Sequence, residues 1–316
     1  MDKPKRLRRW LAKLGQTLLL FLLLALGAEV VLSGLAGRVL LSHELGLIYH
    51  AAHRAVLARL PVRASRAASL EALRDYLHLC VQPVGREADL GPAQVLLNGQ
   101  GWCDQINDIY LRLIEPLQVR GYLVFLQARP GPSPHSVALL TPGLPELMDW
   151  SYLQRRAMVV DPYYGVTYRL ADGGPAAPAD ICAGRARPRP PQVRPQWFCR
   201  EPKIQLANQP RQLWSIWERG LWRAWRLLPP VWEAELLRLG LRRVQGLEPG
   251  QRAYLLARVD HLMLRLKEAD AAYQAVERRF PETRWAELAH HYRRSLPALA
   301  ARFPGWPTSP PAPRRP

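Results

Sequence analysis

Between residues 103 and 170 the spacing of apolar residues changes from helical to strand-like, and that change leaves few folds open. In CDQINDIYLRLIEPL (103–117), Ile106, Ile109, Tyr110, Leu113 and Ile114 fall on one face, the spacing of a helix packed on a core. Pro116 and the residues after it end the helix. Three strand-like runs follow. YLVFLQA (122–128) is a strand by length and residue type, and HSVALL (135–140) is another, stopped by Thr-Pro-Gly. AMVVDPYYGVTYRL (157–170) contains a third, with Asp161 and Pro162 at its end. A helix followed by successive strands predicts an α+β domain with an antiparallel sheet.

The start of that helix carries the chemistry. Residues 98–108 read NGQGWCDQIND. Gly99 and Gly101 permit a tight turn, and a helix beginning at Cys103 puts its thiol at the positive end of the macrodipole. That position lowers a cysteine pKa and populates the nucleophilic thiolate. A proton carrier is also needed. His135 opens the next strand but one, after the loop ARPGPSP, and Asp161 ends the third strand before PYYG. Cysteine, histidine and carboxylate in this order make a Cys–His–Asp triad, in which the histidine takes the thiol proton and the carboxylate fixes its tautomer. Asp149, in the insertion ELMDWSYLQRR, is the alternative orienter; the strand-end context VVDPYYG favours Asp161. The backbone N–H of Cys103 is a natural oxyanion donor, with Asn98, Gln100 or the Trp102 indole as candidates for a second. Asp104, Asn107 and Asp108 lack the loop of an EF-hand, and acids in a first helical turn suit the dipole, so no metal is expected.

At these residues the sequence resembles the transglutaminase-like superfamily, a branch of the papain-like thiol enzymes. The matching stretches are VLLNGQGWCDQINDIYLRLIEPLQVRGYLVFL, PHSVALL and MVVDPYYGVTYR, within roughly residues 70–172. The resemblance implies Cys103 as nucleophile, His135 as base and Asp161 as orienter, in a papain-like core that needs no cofactor. Two departures mark this chain: HSVALL lacks the aromatic and acidic residues common after the family's histidine, and the His135–Asp161 gap is long.

The N-terminus reads as an address. MDKPKRLRRWLAK carries six basic residues and one acid, and TLLLFLLLALGAEVVLSGLAG (17–37) is broken only by Glu29. About 20 apolar residues span a bilayer, and the basic flank stays cytoplasmic. A cleaved signal peptide shares these features, but Thr17–Ala28 ends without an A-x-A site, which favours a retained anchor. The expected location is therefore a bacterial inner membrane, single-pass, with the main domain periplasmic. There a disulfide is permitted, and Cys182–Cys199 would close ICAGRARPRPPQVRPQWFC. Of the four cysteines none forms a CxxC, which excludes a thiolate zinc site of that kind. The formal charge of +18 is nearly all arginine. These arginines are scattered rather than gathered on one face, which excludes a nucleic-acid binder and leaves attraction to an anionic membrane or acidic polymer.

The chain thus divides into a basic segment (1–14), a transmembrane anchor (15–37), a helical connector (38–68), a transglutaminase-like domain (69–172), a Pro/Arg-rich linker (173–200), a helical region (201–303) and a disordered tail (304–316). Within it, 38–65 and 69–80 are predicted helices and 85–92 a loop. Residues 210–244 form a helical stretch carrying Trp214, Trp217, Trp222, Trp225 and Trp232, packed inward or lying at the membrane interface. Residues 251–300 read as a helical hairpin resembling one tetratricopeptide unit, docked on the tryptophan helix. The expected activity is thiol acyl transfer on a protein or peptide, by hydrolysis (a cysteine peptidase or amidase) or by transamidation. The alternative is an inactive module of this fold in envelope or exopolysaccharide assembly, meeting its partner through the C-terminal helices.

Overall fold

A computed structural model describes residues 47–84, 90–127, 133–141, 149–188, 190–205 and 230–304. The anchor, the first part of the connector, Trp214–Trp225 and the tail lie outside the described residues. Among the described residues no helix is long and apolar enough to cross a membrane.

The protein is mixed α and β. Helices α1 (Leu47–Leu57) and α2 (Arg66–Cys80) lead into a short strand β1 (Gln82–Pro83). Helix α3 (Pro92–Asn98), strand β2 (Gln100–Gly101) and helix α4 (Cys103–Ile114) come next. The predicted connector helix 38–65 is shorter than expected: α1 stops at Leu57, ahead of Pro61, which has no N–H to continue the ladder. Ser65 then caps α2, accepting from Ala68 N at 3.1 Å. The loop expected over 85–92 ends early, because Pro92 sits at the first helical position of α3, where a missing N–H costs nothing.

Strands β3 (Arg120–Leu126), β4 (His135–Thr141), β5 (Met158–Asp161), β6 (Val166–Thr167) and β7 (Lys203–Gln205) form an antiparallel sheet in the order β6-β5-β4-β3-β7. The three strands read from sequence are its centre; β6 and β7, too short to leave a periodic signal, are its edges. Both faces are covered. Leu123, Ala138, Leu140 and Val160 turn to the side of α4 and meet Ile106, Ile109 and Leu113. Tyr122, Val124, Val137, Leu139 and Val159 turn to the other side. Alternate residues therefore serve two cores. This is why every residue of β4 is buried and HSVALL reads as a continuous apolar run.

The second face is closed by α5 (Trp150–Arg156), α6 (Pro178–Cys182) and a 3-10 turn at Pro195–Phe198, through Leu153, Ile181 and Phe198. The segment 173–200 is therefore no linker. Arg185, Arg187 and Pro188 are exposed between buried Ala176, Pro178, Ile181, Ala186, Val193 and Phe198. Cys182 and Cys199 are joined by a disulfide across it. Breaking that bridge by Cys182→Ser with Cys199→Ser is expected to lower stability by about 3 kcal/mol, the entropy of a loop of that length. A denaturant titration of the oxidised chain against the double variant reads it.

Helices α7 (Pro230–Arg243), α8 (Pro249–Leu262), α9 (Leu266–Arg279) and α10 (Arg284–Arg302) complete the fold. Three helices occupy 249–302 in place of the expected hairpin, since Leu264 takes a left-handed turn (φ 57°) between α8 and α9. They share one apolar core with α1–α4: Leu255, Val259, Tyr273, Tyr292 and Leu299 join Leu73, Leu77, Leu96 and Ile109.

Candidate active site

The site is built at one end of the sheet. His135 is the first residue of β4 and pairs with Leu126, the last of β3. Asp161 is the last residue of β5, the antiparallel neighbour on the other side. Antiparallel pairing therefore brings two residues 26 positions apart to the same end. His135 Nε2 lies 2.7 Å from Asp161 Oδ2, with the two residues 4% and 0% exposed. Asp161 Oδ1 accepts from Tyr164 N at 3.3 Å, so both carboxylate oxygens are engaged. The rings of Tyr163 and Tyr164 stand 5.6 and 5.2 Å from the imidazole and screen it from water.

Cys103 comes from the opposite direction, on the first turn of α4. The turn before it depends on Gly99, whose φ of 81° closes the C-terminus of α3 with its N–H on Val95 O at 2.8 Å. The first intrahelical bond of α4 runs from Ile106 N to Trp102 O at 2.8 Å, so the N–H groups of Cys103, Asp104 and Gln105 have no partner within the helix. Gln105 Oε1 accepts from Trp102 N at 3.0 Å, and Gln105 Nε2 donates to Leu90 O at 3.1 Å; one side chain fixes the entry to the helix. One turn along, the buried Asn107 Nδ2 donates to Cys103 O at 2.6 Å and to Ser136 O at 3.0 Å, tying the cysteine's helix to the histidine's strand.

His135 and Ser136 stand beside the Cys103 thiol, and hydrogen bonding from both favours its thiolate form. Nε2 of His135 is held by Asp161, which leaves Nδ1 for the thiol. Burial pushes the Cys103 thiol up, but the bonds from His135 and Ser136, with the imidazolium charge, outweigh it and hold the pKa below its ordinary value. Burial likewise opposes charge on His135, yet its bonds to Asp161 and Cys103 and their negative charges raise it to about 9. Both shifts favour the thiolate–imidazolium pair over the neutral one. The other free thiol, Cys80, is buried and pushed up to about 12.

The structure therefore brings Cys103, His135 and Asp161 together. Asp149 stands elsewhere: it is the exposed N-cap of α5, accepting from Ser151 N at 2.9 Å, and its use as an orienter is corrected. Gln100 is drawn away as an oxyanion donor, since its Oε1 accepts from Arg284 Nη2 at 2.9 Å and its Nε2 lies 3.5 Å from Gln82 Oε1. The Asn98 carbonyl accepts from Tyr254 Oη at 2.7 Å. Trp102 is half-buried beside the nucleophile. Three contributors went unread in the sequence. Asn107 lies four residues after Cys103, the spacing of one helical turn, and that signal was visible; Ser136 and the Tyr163–Tyr164 pair follow only from register. Among the described residues no cluster of histidine, cysteine and carboxylates could hold a metal ion. The chain matches no protein-family model, no curated protein and no solved structure, so the chemistry of the site is argued from its own geometry.

Proposed function

We propose that the protein is a thiol acyl-transfer enzyme of transglutaminase-like type, anchored in a bacterial inner membrane with its catalytic domain in the periplasm. One observation carries this: a helix-N-terminal cysteine beside a buried histidine whose ring nitrogen is 2.7 Å from a buried carboxylate. The disulfide supports the oxidising side of the membrane.

In the proposed reaction the Cys103 thiolate attacks an amide carbonyl carbon, and the carbonyl π pair moves to oxygen. The backbone N–H of Cys103, at the start of α4, receives that oxyanion. The His135 imidazolium gives its proton to the leaving nitrogen as the C–N bond breaks, leaving a thioester on Cys103. Water then attacks the thioester carbonyl, with His135 taking its proton, and C–S cleavage restores the thiolate. An amine in place of water gives transamidation; the proposed outcome is hydrolysis, as a peptidase or amidase.

The test is acylation of the full chain in mild detergent by p-nitrophenyl acetate. A burst of p-nitrophenolate with one acetyl group found on Cys103, and none on Cys80, is expected. Slow release without acylated Cys103 would refute the assignment.

A further inference from the structure

The last turn of α3 ends in carbonyls that no helix can satisfy, and the C-terminal helices supply their donors. Arg258 of α8 donates through Nη2 to Leu96 O at 2.9 Å and to Cys80 O at 2.8 Å, and through Nε to Leu97 O at 3.1 Å. Tyr254 of α8 donates to Asn98 O at 2.7 Å. Tyr292 of α10 donates to Gly99 O and accepts from Gln82 N at 3.2 Å. Four consecutive carbonyls, Leu96 to Gly99, are thus held from outside their own segment. Arg258 is itself fully buried, with its guanidinium 4.3 Å from the Tyr292 ring centroid. Gly99 fits this bracket as well as its φ: a Cβ there would lie 2.6 Å from the Tyr292 ring. The segment so fixed runs through Gln100, Gly101 and Trp102 directly into Cys103.

We infer that α8 and α10 are a positioning device for the nucleophile, with Tyr292 and Arg258 setting the turn that aims the first residue of α4 at His135. This rests on the assignment of Cys103 as the nucleophile. The C-terminal helices then act on the site through backbone carbonyls and touch no reacting atom. Tyr292 is the more direct of the two, because its hydroxyl braces the contact in which Gln82 N donates to Gly99 O at 2.6 Å, binding both groups. The device explains why this helical region shares the core of the thiol domain and is not an appended module.

The test compares Tyr292→Phe with Tyr76→Phe in the full chain. Tyr76 is the control: it is fully buried and its hydroxyl also joins the two regions, donating to Leu262 O at the end of α8 at 2.8 Å and to none of the carbonyls Leu96 to Gly99. Phenylalanine keeps the ring in both. Hydrogen–deuterium exchange of the peptide spanning residues 96–106 is expected to accelerate about tenfold in Tyr292→Phe, the worth of one net hydrogen bond, and to stay at the wild-type rate in Tyr76→Phe. The pH profile of Cys103 alkylation by iodoacetamide should move to higher pH in Tyr292→Phe alone. Unchanged exchange at 96–106 in Tyr292→Phe, or an equal change from Tyr76→Phe, overturns the inference. Failure of the thiol assignment shows separately, as an alkylation profile that His135→Ala leaves unmoved; exchange then still decides whether these helices hold the turn.

Discussion

Cys103→Ala is expected to abolish the proposed acyl transfer, and His135→Ala to lower it by about 10²–10⁴-fold, the usual worth of a positioned acid–base group. The first effect is total because no second thiol can substitute: Cys80 is fully buried with its pKa pushed up to about 12, and Cys182 and Cys199 are bonded to each other. The second has two parts that pH separates. His135 supplies the charge and hydrogen bond that overcome the burial of the Cys103 thiol, so without it burial wins and the thiol pKa rises. Alkylation by iodoacetamide, which needs only thiolate, then recovers when the pH is raised. Cleavage of an amide does not recover, because the leaving nitrogen has lost its proton donor. In the unaltered protein the sign at high pH is fixed by the same group. His135 is raised to about 9, so the proposed amide cleavage is expected to fall as pH rises through that value and the imidazolium is lost, while alkylation should not fall. A parallel recovery of both activities in His135→Ala would refute the assignment.

How much of this was legible beforehand depends on the range of the interactions involved. The α4 helix and the three central strands were readable because each carries its own periodicity: Ile106–Ile114 at helical spacing, and short apolar runs bounded by Pro and Gly. The order Cys103, His135, Asp161 was readable because each stands at an element boundary, and antiparallel pairing makes strand boundaries into neighbours. Asp149 was a candidate only because a sequence cannot distinguish an aspartate that caps a helix from one that ends a strand without knowing which element follows; Trp150–Arg156 is that element. The segment 173–200 misled through composition. Pro and Arg dominate it, yet a few residues, Ile181 and Phe198 among them, seal the second face of the sheet, and burial of so few side chains leaves no period to detect. Least legible was the bracket around Leu96–Gly99. Its donors lie more than 150 positions away and bind backbone carbonyls, which carry no residue identity at all.

Asp161→Asn is expected to cost about 10²–10⁴-fold in acyl transfer while leaving the fold intact, because the amide fills the same volume in a fully buried place. The loss follows from which nitrogen holds the proton. The carboxylate can only accept, so Nε2 of His135 must carry a proton, and in the neutral imidazole Nδ1 is left free to accept the thiol's. An amide in that position can instead donate its NH2 to Nε2. The neutral ring then carries its proton on Nδ1, facing the thiol, and cannot accept another. The charge also goes. The bond and negative charge of Asp161 help hold His135 at about 9 against burial, and without the charge burial lowers that value. The pH above which amide cleavage fails should therefore move down from about 9, in the same variant whose rate falls at every pH. Asp149→Asn is the control, since that carboxylate only caps α5 and its loss should change neither the rate nor the alkaline limit. A variant at Asp161 that kept the alkaline limit in place would mean that His135 is held by something other than this carboxylate. The 2.7 Å contact would then be a structural ion pair rather than the orienting arm of a triad.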